Sequence, residues 1–507
     1  MSKVRQYSVP APAPAWAIDS PARVRASRRA RRASGWRFLA LVLWWSGAVF
    51  AAIAIAAVSP VELSVATAML SMGFMADDVA RASRGGITPI TVFAFTGVVI
   101  ALANGVAFLN ADTRNRGKYF IYATDDYLYF AALLTFAGTL LTIGGFRLVA
   151  QDRRVRALGN WMPPLTVRVS DQTLMRWGPA IGVLGILMHL VRFGSSLGAL
   201  SEVLLIAPQL VIFSLARSAT SRKVKGAMEV AVILACLEGL RAFFYAYLRS
   251  DILSPFAALL LGSVMGSRSL APLKRPLFIP IYGLIVVFAV YFTVFAQVRS
   301  TAGTGVDRLR AVAATAAVDA QTGSQAERPG VVARVTTFNQ LSRIGQIYDQ
   351  DGPLNGQTLQ YLGFVFVPRF IWPNKPIVQK GGWFAWRIGQ AWIEPDGTYS
   401  NSVNMTIPGE LYLNYGWWGV LVGCPLFGTI LAMFWKRTSF WSKRPSELGT
   451  SFGFYLLWFG VTLSADLQIL VTILATYLTL VAMSLWLRTV RLPRHLSVAL
   501  PINSTNQ

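Results

Sequence analysis

The sequence predicts an all-α, polytopic membrane protein with about 12 transmembrane helices and one long outer loop containing short helices. Composition is the first reason: 54% of residues are hydrophobic and only 14% charged, against about 25% charged in a soluble globular chain. Block length is the second, because the apolar residues come in runs of roughly 17–25, enough to cross ~30 Å of hydrocarbon as a helix. These runs lack the in–out alternation of barrel strands, which argues against a β-barrel. Charge placement is the third. Lys and Arg concentrate in alternate connections, as the positive-inside rule requires of cytoplasmic loops. That pattern accounts for the formal charge of +24 with no nucleic acid as partner.

Residues 1–35 are Ala/Pro-rich and basic, with Arg23, Arg25, Arg28, Arg29, Arg31 and Arg32 close together. They read as a disordered cytoplasmic tail that holds the first helix in place and touches anionic lipid. The apolar run begins only at Trp36, too late for a cleavable signal peptide. Twelve candidate spans follow, at about 36–58, 60–76, 88–109, 127–149, 177–194, 197–216, 228–247, 252–267, 277–296, 410–435, 449–464 and 468–487. The first nine form an N-terminal bundle over 36–296, and the last three a C-terminal group over 410–487, before a short tail at 488–507. With the N-terminus inside, the loops carrying Arg81 and Arg84, Arg153 to Arg176, Arg217 to Lys225, Arg268 to Arg275 and Lys436 to Arg444 all fall on the cytoplasmic side. Both termini are then cytoplasmic.

Two connections keep basic residues on the outside against that trend. One is 110–126; the other is the long loop 297–409, with ten basic residues from Arg299 to Arg387. Either the loop's length frees it from the charge rule, or it meets an anion. Within it, residues 303–330 are Ala/Gly-rich and weakly patterned. From Val335 the spacing changes: Val335, Phe338, Leu341, Ile344 and Tyr348 recur at threes and fours, which predicts an amphipathic helix lying on the membrane or over the helix mouths. Leu359–Phe370 is apolar but too short to span.

Chemistry concentrates at the end of this loop. Pro368, Pro373 and Pro376 keep the segment extended, so Arg369 and Lys375 are held on a stiffened backbone and suit phosphate binding. Snorkelling to headgroups is the alternative. Arg299 follows the ninth span directly. Arg241 lies inside the seventh span, three residues after Glu238, so a structural ion pair competes with a cavity role; Arg249 stands at the outer end of that span and Arg192 near the outer end of the fifth. Glu410 opens the tenth span, where the helix dipole alone would favour a carboxylate, yet a base for a sugar hydroxyl would need this position. Asn414 is one turn further on. Asp125 and Asp126 either serve an acceptor or cap the fourth helix. Trp372, Trp383, Trp386 and Trp392 could stack on sugars or form an interfacial belt. Two histidines, His189 and His495, and two distant cysteines, Cys236 and Cys424, supply no disulfide framework and little metal chemistry, so no metal or cofactor is expected.

The segments Pro368-Arg369-Phe370-Ile371-Trp372-Pro373-Asn374-Lys375-Pro376 and Gly409-Glu410-Leu411-Tyr412-Leu413-Asn414-Tyr415-Gly416, the latter running on to Gly419, resemble those of the Wzy-type O-antigen and exopolysaccharide polymerases, which also place one long outer loop before a last few helices. The resemblance covers about a tenth of the chain in specific motifs. The basic tail and the Ala-rich stretch depart from it. It implies an enzyme of the bacterial inner membrane that transfers a glycan from undecaprenyl diphosphate to a fresh lipid-linked repeat unit at the periplasmic face, without metal. Arg369, Arg299, Lys375 and Arg241 or Arg249 would hold the diphosphate. Glu410 would handle the acceptor, and Asn414, Trp372 and Trp386 the sugar. A flippase and a chain-length regulator are the implied partners. A ligase of the same broad class, or a non-enzymatic exporter, are the competing readings.

Overall fold

In the computed structural model, residues 21–81, 88–109, 125–151, 162–163, 165, 169–191, 199–245, 249–267, 271–274, 276–279, 281–283, 310, 314, 337–365, 367, 371–376, 379–395, 397–438, 440, 446–458 and 466–489 are described. Among them the chain is helical, with a single isolated bridge, Ile393 to Tyr399, in place of any strand. The helices are α1 (Pro21–Ala57), α2 (Pro60–Arg81), α3 (Pro89–Leu109), α4 (Asp125–Gln151), α5 (Asp171–Val191), α6 (Ala199–Ser221) and α7 (Ala227–Tyr245). They continue as α8 (Arg249–Ser267), α9 (Phe338–Asp351), α10 (Lys380–Arg387), α11 (Ile407–Arg437), α12 (Glu447–Trp458) and α13 (Gln468–Thr489).

Among the described residues, five helices are long and apolar enough to cross a membrane: Ser34–Ala57, Pro89–Leu109, Asp125–Val149, Ile407–Arg437 and Gln468–Trp486. On α11 the stripe Trp418, Val422 and Leu426 remains exposed, as a lipid-facing surface would. Helix Ile252–Ser267 is apolar but shorter. Helix α2 reaches Arg81 and carries Glu62, Asp77 and Asp78. Helix α12 is described over Glu447–Trp458, and the rest of the expected span, to 464, lies outside the described residues. Most of the expected ninth span, 277–296, lies outside the described residues. The N-terminal segment differs from the expected tail, since α1 already begins at Pro21. Arg and Ala are strong helix formers, and proline is tolerated in a first turn because its missing N–H is needed by no one there.

Small residues set the helix crossings. In lipid there is little hydrophobic drive between helices, so close backbone approach supplies the packing. Helices α4 and α11 run parallel: a Cβ on Gly138 would meet Pro408, one on Gly145 would overlap the Pro425 carbonyl, and one on Gly428 would overlap the Thr142 carbonyl. Helices α6 and α8 cross the same way, with Gly262 and Gly266 against the carbonyls of Phe213 and Arg217. Helix α1 folds back on α2, Gly47 facing Leu70 and Gly73 facing Trp44.

The expected amphipathic helix is α9. Leu341, Ile344 and Ile347 are buried, and Gly345 sits against Phe130 and Tyr127 of α4. Its start is pinned by α3, where the Asn104 amide oxygen accepts from the Thr337 N–H at 3.1 Å. Helix α9 therefore lies over the bundle at the end where α3 finishes and α4 and α11 begin. Asn104→Ala is expected to cost about 1 kcal/mol and to raise hydrogen exchange through the first turn of α9 while α4 stays protected; unchanged exchange there would show that the contact contributes nothing.

The opposite end is closed by ion pairs. Arg222 joins Asp171 at 3.0 Å and Glu447 at 3.1 Å, and Arg147 joins Asp77 at 2.8 Å and Asp78 at 3.4 Å while lying over the Phe74 ring. Asp77, Asp78, Asp171, Arg222 and Glu447 belong to connections that the sequence places together on one side, and Arg147 lies at the end of the fourth expected span.

Candidate functional site

The site grows from the first two turns of α11. Thr406 caps them, its hydroxyl accepting from the Gly409 N–H at 3.2 Å. Its φ of 65° is rare for a β-branched residue. Gly409 has no side chain because Ile344 and Leu341 of α9 occupy that space. Tyr412 is an aromatic hub, its ring centroid 4.7 Å from both Phe130 and Tyr348 and 5.5 Å from Trp417. At Gly416 the helix breaks, with φ 60° and ψ −150°. A Cβ there would also lie 2.7 Å from the Tyr348 hydroxyl, so two independent constraints ask for glycine. The break frees carbonyls that an intact helix would use, and the loop after α9 takes them: Leu354 N–H donates to Leu413 O and Asn355 N–H to Asn414 O, both at 3.0 Å.

This geometry delivers Glu410 to a wholly buried position. Lys380, the first residue of α10, donates from Nζ to Oε1 at 2.8 Å and to Oε2 at 3.0 Å. Thr358 Oγ1 donates to Oε1 at 3.1 Å, and the Leu467 backbone N–H to Oε2 at 2.9 Å. Asp466, just before α13, lies 3.4 Å from the same ammonium through Oδ2, and caps α13 by accepting from the Gln468 N–H at 2.9 Å. Lys380 also donates to the Tyr361 hydroxyl at 3.2 Å and sits 4.7 Å from its ring centroid. Asn414 Nδ2 donates to Thr358 Oγ1 at 2.6 Å and to the Glu410 carbonyl at 2.7 Å. Its Oδ1 is buried with no described partner. Burial, with the charges of Glu410 and Asp466 close by, pushes the Tyr361 phenol far above its usual range. It stays protonated and serves as a donor.

A cavity of about 320 Å³ adjoins this network. Its buried end is formed by Thr358, Tyr361 and Lys380, and its outer walls include Gln357, Gln360 and Gln379. Phe364, Pro376 and Trp383 line it as well.

The residues named from the sequence fall into separate places. Glu410 and Asn414 share the network. Lys375 is buried and donates to the carbonyls of Val365 at 2.8 Å and Val367 at 2.9 Å. It clamps the cavity wall near Phe364 and Pro376. Arg241 belongs to another cluster, a two-bond pair with Glu238 at 2.9 Å and 2.9 Å, where Gln209 also donates to Glu238 at 3.1 Å; this is the structural ion pair considered above. Arg249 is the first residue of α8, and its side chain lies outside the described residues, as do Arg299, Arg369 and Arg192. Trp372 and Trp386 are exposed and do not line the cavity, whereas Trp383 does. Asp125 and Asp126 stand in the first turn of α4, where the helix dipole favours them.

Four participants escaped the sequence reading. Lys380 was one of ten basic residues of the long loop, Asp466 part of a short turn, Tyr361 part of the short apolar run Leu359–Phe370, and Thr358 the residue just before it. The only available signal was an acid and a base retained in outer connections without a local partner. Among the described residues no group of three or more His, Cys, Asp or Glu could hold a metal ion. The chain matches no family model, no curated protein and no solved structure.

Proposed function

We propose that the chain is a membrane glycosyltransferase that polymerises undecaprenyl-diphosphate-linked oligosaccharide repeat units into O-antigen or exopolysaccharide. The site would face the periplasm from the inner membrane, with both termini in the cytoplasm. The observation that carries the reading is the buried Lys380–Glu410–Asp466 network at the mouth of the helix bundle. It draws on the long loop, the start of α11 and the start of α13, and it borders a cavity. Buried ion pairs are a weak route to stability, because desolvation offsets much of their attraction. Ionisable groups at a membrane helix end point to function more readily.

In the reaction, a hydroxyl of the acceptor unit attacks the anomeric carbon of the lipid-linked donor. The new glycosidic C–O bond forms as the bond to the lipid diphosphate breaks, and the acceptor proton is released. Charge grows on the leaving diphosphate, and fixed cations suit it. Arg369, Arg299 and Arg249 are proposed for that task. Arg241 could join them only by giving up Glu238, and Lys375 only by releasing two carbonyls. Both oxygens of Glu410 are already taken, so in this arrangement it holds Lys380 in place. Acting as a base would require Lys380 or Thr358 to withdraw first.

The test is reconstitution of the purified chain in vesicles with undecaprenyl-diphosphate-linked repeat units. Lengthened glycan and free undecaprenyl diphosphate are expected, with at least a hundredfold less product, on the order of one lost transition-state contact, in Arg369→Ala. Whole glycan passed only to a lipid A core acceptor would make the protein a ligase. Movement of lipid-linked units with no new bond would make it an exporter.

A further inference from the structure

We propose that the cavity between the 3-10 turn Gln357–Gly363 and α10 binds a short stretch of uncharged glycan. The inference deepens the reading above, resting on it only for identifying that glycan as part of the reacting chain.

The lining chemistry argues for a neutral, hydroxyl-rich ligand. Gln357, Gln360 and Gln379 each offer an amide that both donates and accepts, which matches vicinal hydroxyls better than it matches any ion. Trp383 and Phe364 supply ring faces beside them, and a sugar has apolar C–H faces to lay on such rings. At the buried end the Tyr361 hydroxyl accepts from Lys380, and among the described residues nothing takes its own proton. It is a ready donor.

Among the described residues of the lining, Lys380 is the only formally charged one. A diphosphate would seek that ammonium, but its charge is already met by Glu410 at 2.8 Å and by Asp466 at 3.4 Å. Counting one cation and two carboxylates, the network carries no positive excess. An anion entering the cavity would approach two carboxylates to reach one occupied cation. A cationic ligand fares no better, because Glu410 is wholly buried behind Lys380 and presents nothing to the cavity. Size agrees: about 320 Å³ is at the small end of ligand pockets, roughly 300–1,000 Å³. That is room for a short glycan segment and not for a prenyl carrier. The diphosphate must therefore be held elsewhere, and this cavity places the sugar beside the network.

The experiment titrates the full chain in nanodiscs with two probes, a panel of neutral hexose and N-acetylhexosamine trisaccharides and inorganic diphosphate, by calorimetry. Saturable binding of a neutral trisaccharide is expected, undisturbed by diphosphate. Gln357→Ala and Gln360→Ala change exposed side chains, so the fold is retained. Each is expected to weaken binding by about threefold to tenfold, the effect of one lost hydrogen bond, and Tyr361→Phe by a similar factor. Diphosphate that displaces the trisaccharide, or trisaccharide binding that ignores all three substitutions, overturns the proposal. Trisaccharide binding that responds to the substitutions, in a chain that makes no polymer, removes the polymerase reading and leaves the cavity assignment standing. Polymer formed normally by the Gln357→Ala/Gln360→Ala variant, with unchanged trisaccharide affinity, does the reverse.

Discussion

Glu410→Gln is expected to destabilise the protein by about 3 kcal/mol, the low end of the cost of breaking a buried pair, because Lys380 loses its closest partner and keeps only Asp466 at 3.4 Å. Lys380 is 7% exposed and Glu410 0%, so water cannot take over the lost interaction. The amide cannot serve all three donors either. It presents one oxygen where the carboxylate accepts from Lys380, Thr358 and the Leu467 N–H, and its NH₂ would face one of them. Thermal unfolding in detergent, read by intrinsic fluorescence, measures the loss. A second variant separates architecture from chemistry. Glu410→Leu with Lys380→Met and Asp466→Asn removes all three charges while Asn keeps the cap on Gln468, and removing a buried ionic cluster whole is often neutral or stabilising. The triple variant is expected to regain most of the stability while glycan lengthening stays absent. If lengthening returns with stability, the network serves the fold alone.

Gly428→Val is expected to be the most damaging change far from the site. Its Cβ would overlap the Thr142 carbonyl and lie 2.8 Å from the Phe146 nitrogen. These are backbone atoms and cannot rotate away, so α4 and α11 must part. Overpacking ordinarily costs about 1–3 kcal/mol, and a crossing held by backbone contact at two places, Gly145 and Gly428, belongs at the upper end. Gly144 lies on α4 with nothing within reach of a Cβ, which makes Gly144→Val a control on the same helix pair. The first variant is expected to give little monodisperse protein on size exclusion. The second should match the parent chain. Equal yields would mean that the α4–α11 crossing does not set the fold.

The all-helical architecture was legible because hydropathy records burial in a solvent that forbids unsatisfied backbone. The period of three and four from Leu341 to Tyr348 likewise identified α9 and its buried face. Helix length was less legible. The arginines and alanines that suggest a solvated tail also favour helix, and α1 accordingly runs back to Pro21. The candidate site was half visible. Glu410 and Asn414 stood out through position, at a helix start beside a loop. Lys380 and Asp466 did not, since their pairing with Glu410 is made by tertiary contact across long stretches of chain and no local spacing encodes it. Lys375 shows the opposite case. A proline-framed cation invites a phosphate, but the same stiff backbone lets it turn inward onto Val365 and Val367.

The break at Gly416 makes the loop and the helix a single thermodynamic unit. Leu354 and Asn355 donate to the Leu413 and Asn414 carbonyls beside the break, and Thr358, four residues after Leu354, is already bound to Glu410 and Asn414. For the loop to lift, buried backbone acceptors and a buried carboxylate would lose partners together. Opening is therefore all-or-none on the scale of this segment. A glycan that enters the cavity and steadies the loop would at the same moment steady the first two turns of α11. Occupancy and the integrity of the charged network would rise and fall as one.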